Sequence, residues 1–135
     1  MPPDARDGRG VLAGVHLLIL AWAGIAGAAG VALAAVAAHK VNSPALATAA
    51  TMLMLHAASA VGIVAVGMHV ARPRFWQAAG VLMLFAASLF SGEIAFYTLT
   101  CNSVFQVMAP IGGTLMIASW LLVAGIAVRD WLARR

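Results

Sequence analysis

Charged residues are scarce in this chain. Of its 135 residues, 9% are Asp, Glu, Lys or Arg, whereas 64% are hydrophobic. A water-soluble domain of this length could not cover its surface with so few polar side chains. The scarcity of charge therefore excludes a soluble globular domain and a large domain outside the membrane, and it predicts an integral membrane protein.

Cysteine is nearly absent, and so are the sequence motifs of the common enzyme classes. The single Cys101 excludes an intrachain disulfide framework and a zinc site built from several thiolates. The sequence contains no His-Glu-x-x-His, no phosphate-binding loop, no Gly-x-Ser-x-Gly and no dinucleotide fingerprint. A basic face interleaved with aromatic residues, which would bind nucleic acid, is missing as well. We predict neither an enzyme nor a nucleic-acid-binding protein, and we predict no cofactor.

Four long apolar runs are present, and each is long enough for a membrane span of about 20 residues. The runs lack the period-two alternation of strands, and a helix satisfies all its backbone groups within one segment in lipid. The sequence predicts an all-α bundle of four transmembrane helices in up-down order. A polar N-terminal arm at 1–10 precedes the transmembrane domain at 11–128, and a basic tail follows at 129–135. The four runs are 11–38, 45–71, 75–99 and 104–128.

The basic residues are distributed unevenly over the two ends of these helices. Seven of the eight lie in the arm, in the 72–74 hairpin and in the tail, which an up-down order places at one end. Only Lys40 lies at the other end. The positive-inside rule then predicts a multi-pass protein of the cell inner membrane with both termini cytoplasmic, or on the matrix side in an organelle.

Glu93 is a carboxylate inside a predicted span, where an ionisable group is costly and indicates a functional site. It lies about 9 Å from the non-cytoplasmic end of its helix. Pro110, at a similar depth in the fourth helix, frees a backbone carbonyl. We expect a polar pocket open to the non-cytoplasmic side, or alternatively a neutral or paired Glu93 that only stabilises the bundle. The pocket candidates are Glu93, His56, His39, Lys40, Pro110 and Gln106, and the candidate metal ligands are His39, His56 and Glu93.

Small residues recur at helical spacing, and in lipid such residues let two helix backbones approach closely. Gly27 belongs to such a row in the first helix, and Ser88 and Gly92 form one in the third. Gly112 and Gly113 follow Pro110 in the fourth helix. We expect these residues to pack helices together within the bundle, with a dimer interface as the alternative.

Several short stretches occur in the order seen in one family. The segment 32–39 ends in Ala-His, and further stretches are Leu55-His56-Ala57-Ala58, Leu89-Phe90-Ser91-Gly92, and 109–113 followed by Ala118-Ser119-Trp120. Together they resemble the domain of unknown function 423 family, which is similar to the eukaryotic transmembrane protein 256. The resemblance implies a small inner-membrane protein without an assigned activity. Glu93 stands where relatives usually carry a small or polar residue.

Three classes of function are compatible with these observations. One intramembrane carboxylate without an extended polar stripe favours a non-enzymatic accessory or partner-binding membrane subunit. The alternatives are a small permeation or proton-relay protein that uses the pocket around Glu93, and a membrane metal-binding protein. The expected partners are the lipid bilayer and either another membrane protein or further copies of the chain.

Overall fold

The computed structural model describes residues 4–70, 72–102 and 107–135, with side chains from residue 14 onward. Within these ranges the chain forms four helices and no strand. A short π-helical turn, Ala37–Val41, continues the first helix. All four helices are long and apolar enough to cross a membrane, so the prediction of an all-α transmembrane bundle is confirmed. The helices are α1 (Asp4–Val36), α2 (Pro44–Gly67), α3 (Pro73–Thr100) and α4 (Met108–Leu132).

The helix ends differ from the predicted boundaries. Because α1 begins at Asp4, most of the segment expected to form a polar arm is helical, while residues 1–3 lie outside the described ranges. Similarly, α4 continues to Leu132, into the predicted basic tail. The end of an apolar run marks the edge of the lipid and not the end of a helix, and at the end of α4 the residues Ala, Arg and Leu continue the helix readily beyond that edge.

The connection between α1 and α2 is short and is determined by local sequence. Asn42 has a left-handed backbone, with φ 43°, which asparagine tolerates better than most residues. Ser43 caps α2, since its hydroxyl accepts a hydrogen bond of 3.2 Å from the backbone N–H of Leu46. Pro44 then occupies the first turn, where its missing N–H is not needed. The sequence Asn-Ser-Pro therefore ends one helix and begins the next.

The helices are arranged around a central pair. α2 and α3 pack against each other, α1 packs on α2 and also touches α3, and α4 packs on α3. Within the described ranges α1 and α4 do not meet. The α2–α3 turn and the end of α4 lie together, because Trp76 hydrogen-bonds Asp130. We call this the arginine-rich end, and we call the end that carries the π-helical turn and Cys101 the opposite end.

Alanine dominates the contacts between the helices. Because lipid provides no hydrophobic driving force, membrane helices associate through close van der Waals packing of small side chains. Leu46, Met83 and Leu84, all without exposed surface, fill the spaces that remain. The core therefore depends on backbone proximity more than on large side chains. Its fully buried alanines are Ala49, Ala50, Ala60, Ala79, Ala86 and Ala87.

Candidate functional site

Glu93 lies half-buried on α3 between two cavities. It is seven residues before the last residue of α3, which places it about 10 Å from the opposite end. The first cavity, of about 370 Å³, is lined by Ser88, Leu89, Gly92, Glu93, Phe96 and Met108. The second, of about 400 Å³, lies toward the opposite end and is lined by Ser43, Ala45, Glu93, Ile94, Tyr97, Thr98 and Cys101.

The carboxyl group of Glu93 has no hydrogen bond and no ion pair with any residue that the structure describes. A carboxyl group within the span of a membrane protein is normally paired or hydrogen-bonded, because its transfer from water is expensive. Glu93 is therefore an unsatisfied polar group at a surface where lipid or another protein is the neighbour.

The other predicted pocket residues do not gather around Glu93. His39 and Lys40 are exposed on the π-helical turn, and Pro110 is exposed on α4. Neither cavity beside Glu93 is lined by any of them or by His56. Gln106 lies outside the described residues. The pocket therefore contains Glu93 but not the composition predicted for it, because equal depth in a bundle does not put residues on the same face.

No metal site forms in the described part of the chain, in which no three His, Cys, Asp or Glu side chains cluster. The predicted set of His39, His56 and Glu93 is separated: His39 is exposed on the turn, and His56 is buried in α2. The prediction that these three residues could share a metal ion is therefore wrong, because the three side chains do not lie together.

His56 instead joins two helices. Its Nδ1 lies 2.7 Å from the carbonyl oxygen of Met52, and the indole Nε1 of Trp120 donates to its Nε2 across 3.2 Å. Because an indole N–H can only donate, Nε2 must accept, and the ring proton must be on Nδ1, where it is donated to Met52. Both ring nitrogens of this neutral histidine are occupied. His56 is 3% exposed and links α2 to α4.

Of the small residues predicted to pack helices together, some lie at close contacts between helices and others lie at open surface. A side-chain carbon added at Gly112 would lie 2.6 Å from the backbone nitrogen of Phe90, so α3 and α4 approach closely there. At Gly113 the nearest atom, on the Phe90 ring, would be at an ordinary 3.9 Å. A side-chain carbon added at Gly27 or Gly92 would meet no neighbouring atom within 4 Å. The prediction that these two glycines pack helices within the bundle is therefore wrong.

Gly30 and Ser91 also belong to the small-residue rows of α1 and α3, and they make the interhelical contacts that Gly27 and Gly92 do not. A side-chain carbon at Gly30 would lie 3.1 Å from the carbonyl oxygen of Ala50, which shows that α1 and α2 meet there. The hydroxyl of Ser91 donates a 2.8 Å hydrogen bond to the carbonyl oxygen of Ala49, linking α3 to α2. Ser91 stands in the Ser-Gly stretch of the family resemblance, which was the available signal.

Ser88 and Gly92 line a groove on the outside of the bundle. A third cavity, of about 230 Å³, adjoins the first because both are lined by these two residues. We call the two together the α1–α3 groove, which is apolar along most of its length and has Glu93 at one end. The third cavity is lined by Trp22, Ile25, Ala26, Ala29, Leu33, Leu53, Ser88 and Gly92.

Comparison with protein families gives one match. The family described as "Protein of unknown function (DUF423)" matches residues 26–113, about two thirds of the chain. The chain belongs to the DUF423 family. No curated protein and no solved structure matches it. The DUF423 match confirms the resemblance and contains His56 and Glu93, while Trp120 lies beyond it. Since the family carries no assigned activity, the function has to be argued from the groove and Glu93.

Proposed function

We propose that this DUF423 protein is a non-enzymatic membrane subunit that binds a transmembrane helix of a partner protein in the α1–α3 groove. The observation that carries the proposal is the carboxyl group of Glu93, which has no partner among the described residues and stands at one end of an open groove. A polar group in this position requires a complementary group, and the described part of the chain does not supply one.

The surface of the groove suits a helix. Ser88 and Gly92 form its floor on α3, and the space above Gly92 is open. Small residues at this spacing allow a second helix backbone to come close, which is how membrane helices gain van der Waals contact. Larger side chains, Trp22 and Ile25 on α1 and Phe96 on α3, border this floor. The small floor and its larger borders support a helix as the occupant.

Charge complementarity defines the chemistry of the partner. The partner helix should present a Lys or Arg at the depth of Glu93. A second copy of this chain is a poorer candidate, because Lys40 is the only Lys or Arg between Arg9 and Arg72 and it lies on the π-helical turn at the end of a span. The proposal therefore specifies a different membrane protein.

The interior of the bundle favours binding over permeation. Between His56 and the arginine-rich end the described core contains a layer of buried apolar residues, among them Ala60, Val64 and Met83, and beyond it the buried polar side chain of Gln77 near the start of α3. The buried hydroxyl of Ser91 donates to a helix backbone and so does that of Ser119, while His56 is hydrogen-bonded on both sides. A proton leaving Glu93 toward the arginine-rich end would have to cross the apolar layer formed by Ala60, Val64 and Met83.

The test is site-specific photo-crosslinking in native membranes, with the reactive residue introduced at Ser88 in the groove and, as a control, at the exposed Leu17 on α1. We expect the Ser88 probe, and not the Leu17 probe, to capture a single membrane protein. Mass spectrometry should place the crosslink in a transmembrane segment with a Lys or Arg near the level of Glu93.

Variants then test the role of the groove. Glu93→Gln and Gly92→Leu should each abolish the crosslink without lowering the thermal midpoint of the purified protein. Gly27→Leu, which adds the same bulk at another position with nothing within 4 Å, should leave the crosslink intact. Crosslinks only to lipid or to a second copy would refute the proposal, and so would a proton flux in vesicles that Glu93→Gln removes. Loss of stability in Glu93→Gln with an unchanged crosslink would assign Glu93 to bundle stability instead.

A further inference from the structure

A second polar cluster lies at the arginine-rich end, far from Glu93. Asp130 accepts a 3.0 Å hydrogen bond from the indole of Trp76 and two hydrogen bonds, of 2.7 and 3.1 Å, from the guanidinium of Arg129. Arg129 in turn lies over the ring of Phe75, with 4.0 Å between the guanidinium carbon and the ring centre. The charge of Asp130 is therefore compensated within the protein, and the start of α3 is fixed to the end of α4.

A cavity of about 140 Å³ lies beside this cluster, lined by Val70, Arg72, Asp130, Ala133 and Arg134. Arg72 immediately precedes α3 and Arg134 follows α4, so the packing of these two helices brings the two arginines to one cavity. Neither side chain donates a hydrogen bond or forms a close ion pair within the described ranges. With Arg129 included, three arginines surround one aspartate, which leaves the site with a net positive charge.

The size and chemistry of the cavity specify its ligand. Its volume is well below the roughly 300 to 1,000 Å³ of cofactor pockets. It holds the equivalent of about four or five waters, at roughly 30 Å³ each, which is room for one small group. Guanidinium groups match the geometry of phosphate oxygens and bind them through short, charge-assisted hydrogen bonds. A single phosphate group fits both observations.

The position in the membrane identifies where that phosphate comes from. α3 begins at Pro73 and α4 ends at Leu132, so the cavity lies at the level where spans meet the lipid headgroups. The exposed Trp131, with Arg135 over its ring at 4.0 Å, is typical of this interfacial zone. We infer that the cavity binds the phosphate of an anionic phospholipid headgroup, as basic pockets between membrane helices do elsewhere.

The test measures the thermal midpoint of the delipidated full chain in detergent against increasing short-chain phosphatidylglycerol. Short-chain phosphatidylcholine and inorganic phosphate serve as the comparison ligands. We expect saturable stabilisation by phosphatidylglycerol only. The double variant Arg72→Gln/Arg134→Gln should bind about tenfold more weakly for each guanidinium removed. The double variant Arg74→Gln/Arg135→Gln removes the same charge from the same end outside the cavity, and its affinity should stay within about twofold of the parent.

Three results would overturn the assignment. Equal losses in the two double variants would mean that only the net charge of this end attracts lipid. Saturable stabilisation by inorganic phosphate would identify a site for the free anion. Equal stabilisation by phosphatidylcholine would show that anionic charge is irrelevant. If the first double variant has less helix by circular dichroism than the parent, the neighbouring single variants Arg134→Gln and Arg135→Gln provide the same comparison, and equal affinities for these two would refute the site.

Discussion

The indole Nε1 of Trp120 donates a hydrogen bond to Nε2 of His56 across 3.2 Å, joining α4 to α2. The two rings meet edge to face, with centres 6.1 Å apart and planes at 67°. Because α4 otherwise packs on α3, this contact ties α4 directly to α2. Its geometry assigns a structural role to the histidine that the sequence presented as a candidate ligand.

Removing the donor tests that role. Trp120→Phe leaves Nε2 of His56 without a partner in a buried position, and we expect a loss of about 1 kcal/mol in the free energy of unfolding. Thermal or denaturant unfolding in detergent measures it. Trp131→Phe, at an exposed indole on the same helix, is the control and should change stability by less than half as much. Equal effects for the two variants would contradict the structural role of this hydrogen bond.

The adjacent glycines of α4 should respond differently to the same substitution. Gly112→Ala puts a methyl group 2.6 Å from the backbone of Phe90, and backbone cannot move aside cheaply, so we expect a loss of about 1 to 3 kcal/mol. Gly113→Ala meets only an ordinary contact and should be neutral or stabilising, since Ala favours a helix. Unfolding in detergent measures both. Indistinguishable stabilities would mean that α3 and α4 do not approach at Gly112.

The buried serines provide a second matched pair. The Ser91 hydroxyl bonds the carbonyl of Ala49 on another helix, whereas the Ser119 hydroxyl bonds Met116 in its own helix. Both residues are fully buried, so Ser91→Ala and Ser119→Ala remove the same atom. We expect Ser91→Ala to cost about 0.6 kcal/mol, the average for interhelical hydrogen bonds in membranes, and Ser119→Ala to cost less. A larger loss for Ser119→Ala in unfolding experiments would contradict this ranking.

Cys101 reports the orientation in the membrane, which stays a prediction. Its thiol is free and exposed, and the residue ends α3 at the opposite end in a left-handed conformation, with φ 56°. Seven of the eight basic residues lie in the N-terminal segment, the 72–74 hairpin and the C-terminal segment, and not at the end that carries Cys101. The positive-inside rule therefore predicts that Cys101 faces away from the cytoplasm.

An impermeant maleimide should therefore label Cys101 in intact spheroplasts. A Cys101→Ser/Arg135→Cys variant, which moves the thiol to the C-terminus, should be labelled only after the membrane is broken. The reverse pattern would place both termini outside the cytoplasm and would contradict the orientation.

The sequence by itself determined the class of fold. Four apolar runs of spanning length are local signals, and each run overlaps one helix of the structure. Turn residues are local signals as well. The Asn42-Ser43-Pro44 turn acts through its own backbone conformation and cap, so it needs no distant partner. The depth of Glu93 also follows from counting residues along one helix.

Tertiary structure decided which face of each helix meets another helix. In helices so rich in alanine, small residues recur on several faces, so spacing could not separate Gly27 and Gly92, which face open space, from Gly112, which touches Phe90. The rotation of each helix about its axis is fixed only when all of them pack. The same holds for His56 and Trp120, which are 64 positions apart and can be paired only by that packing. The packing of the helices also places Glu93 at an open groove, away from His39 and His56, which the sequence analysis had proposed as its partners because they are the histidines nearest to it in depth.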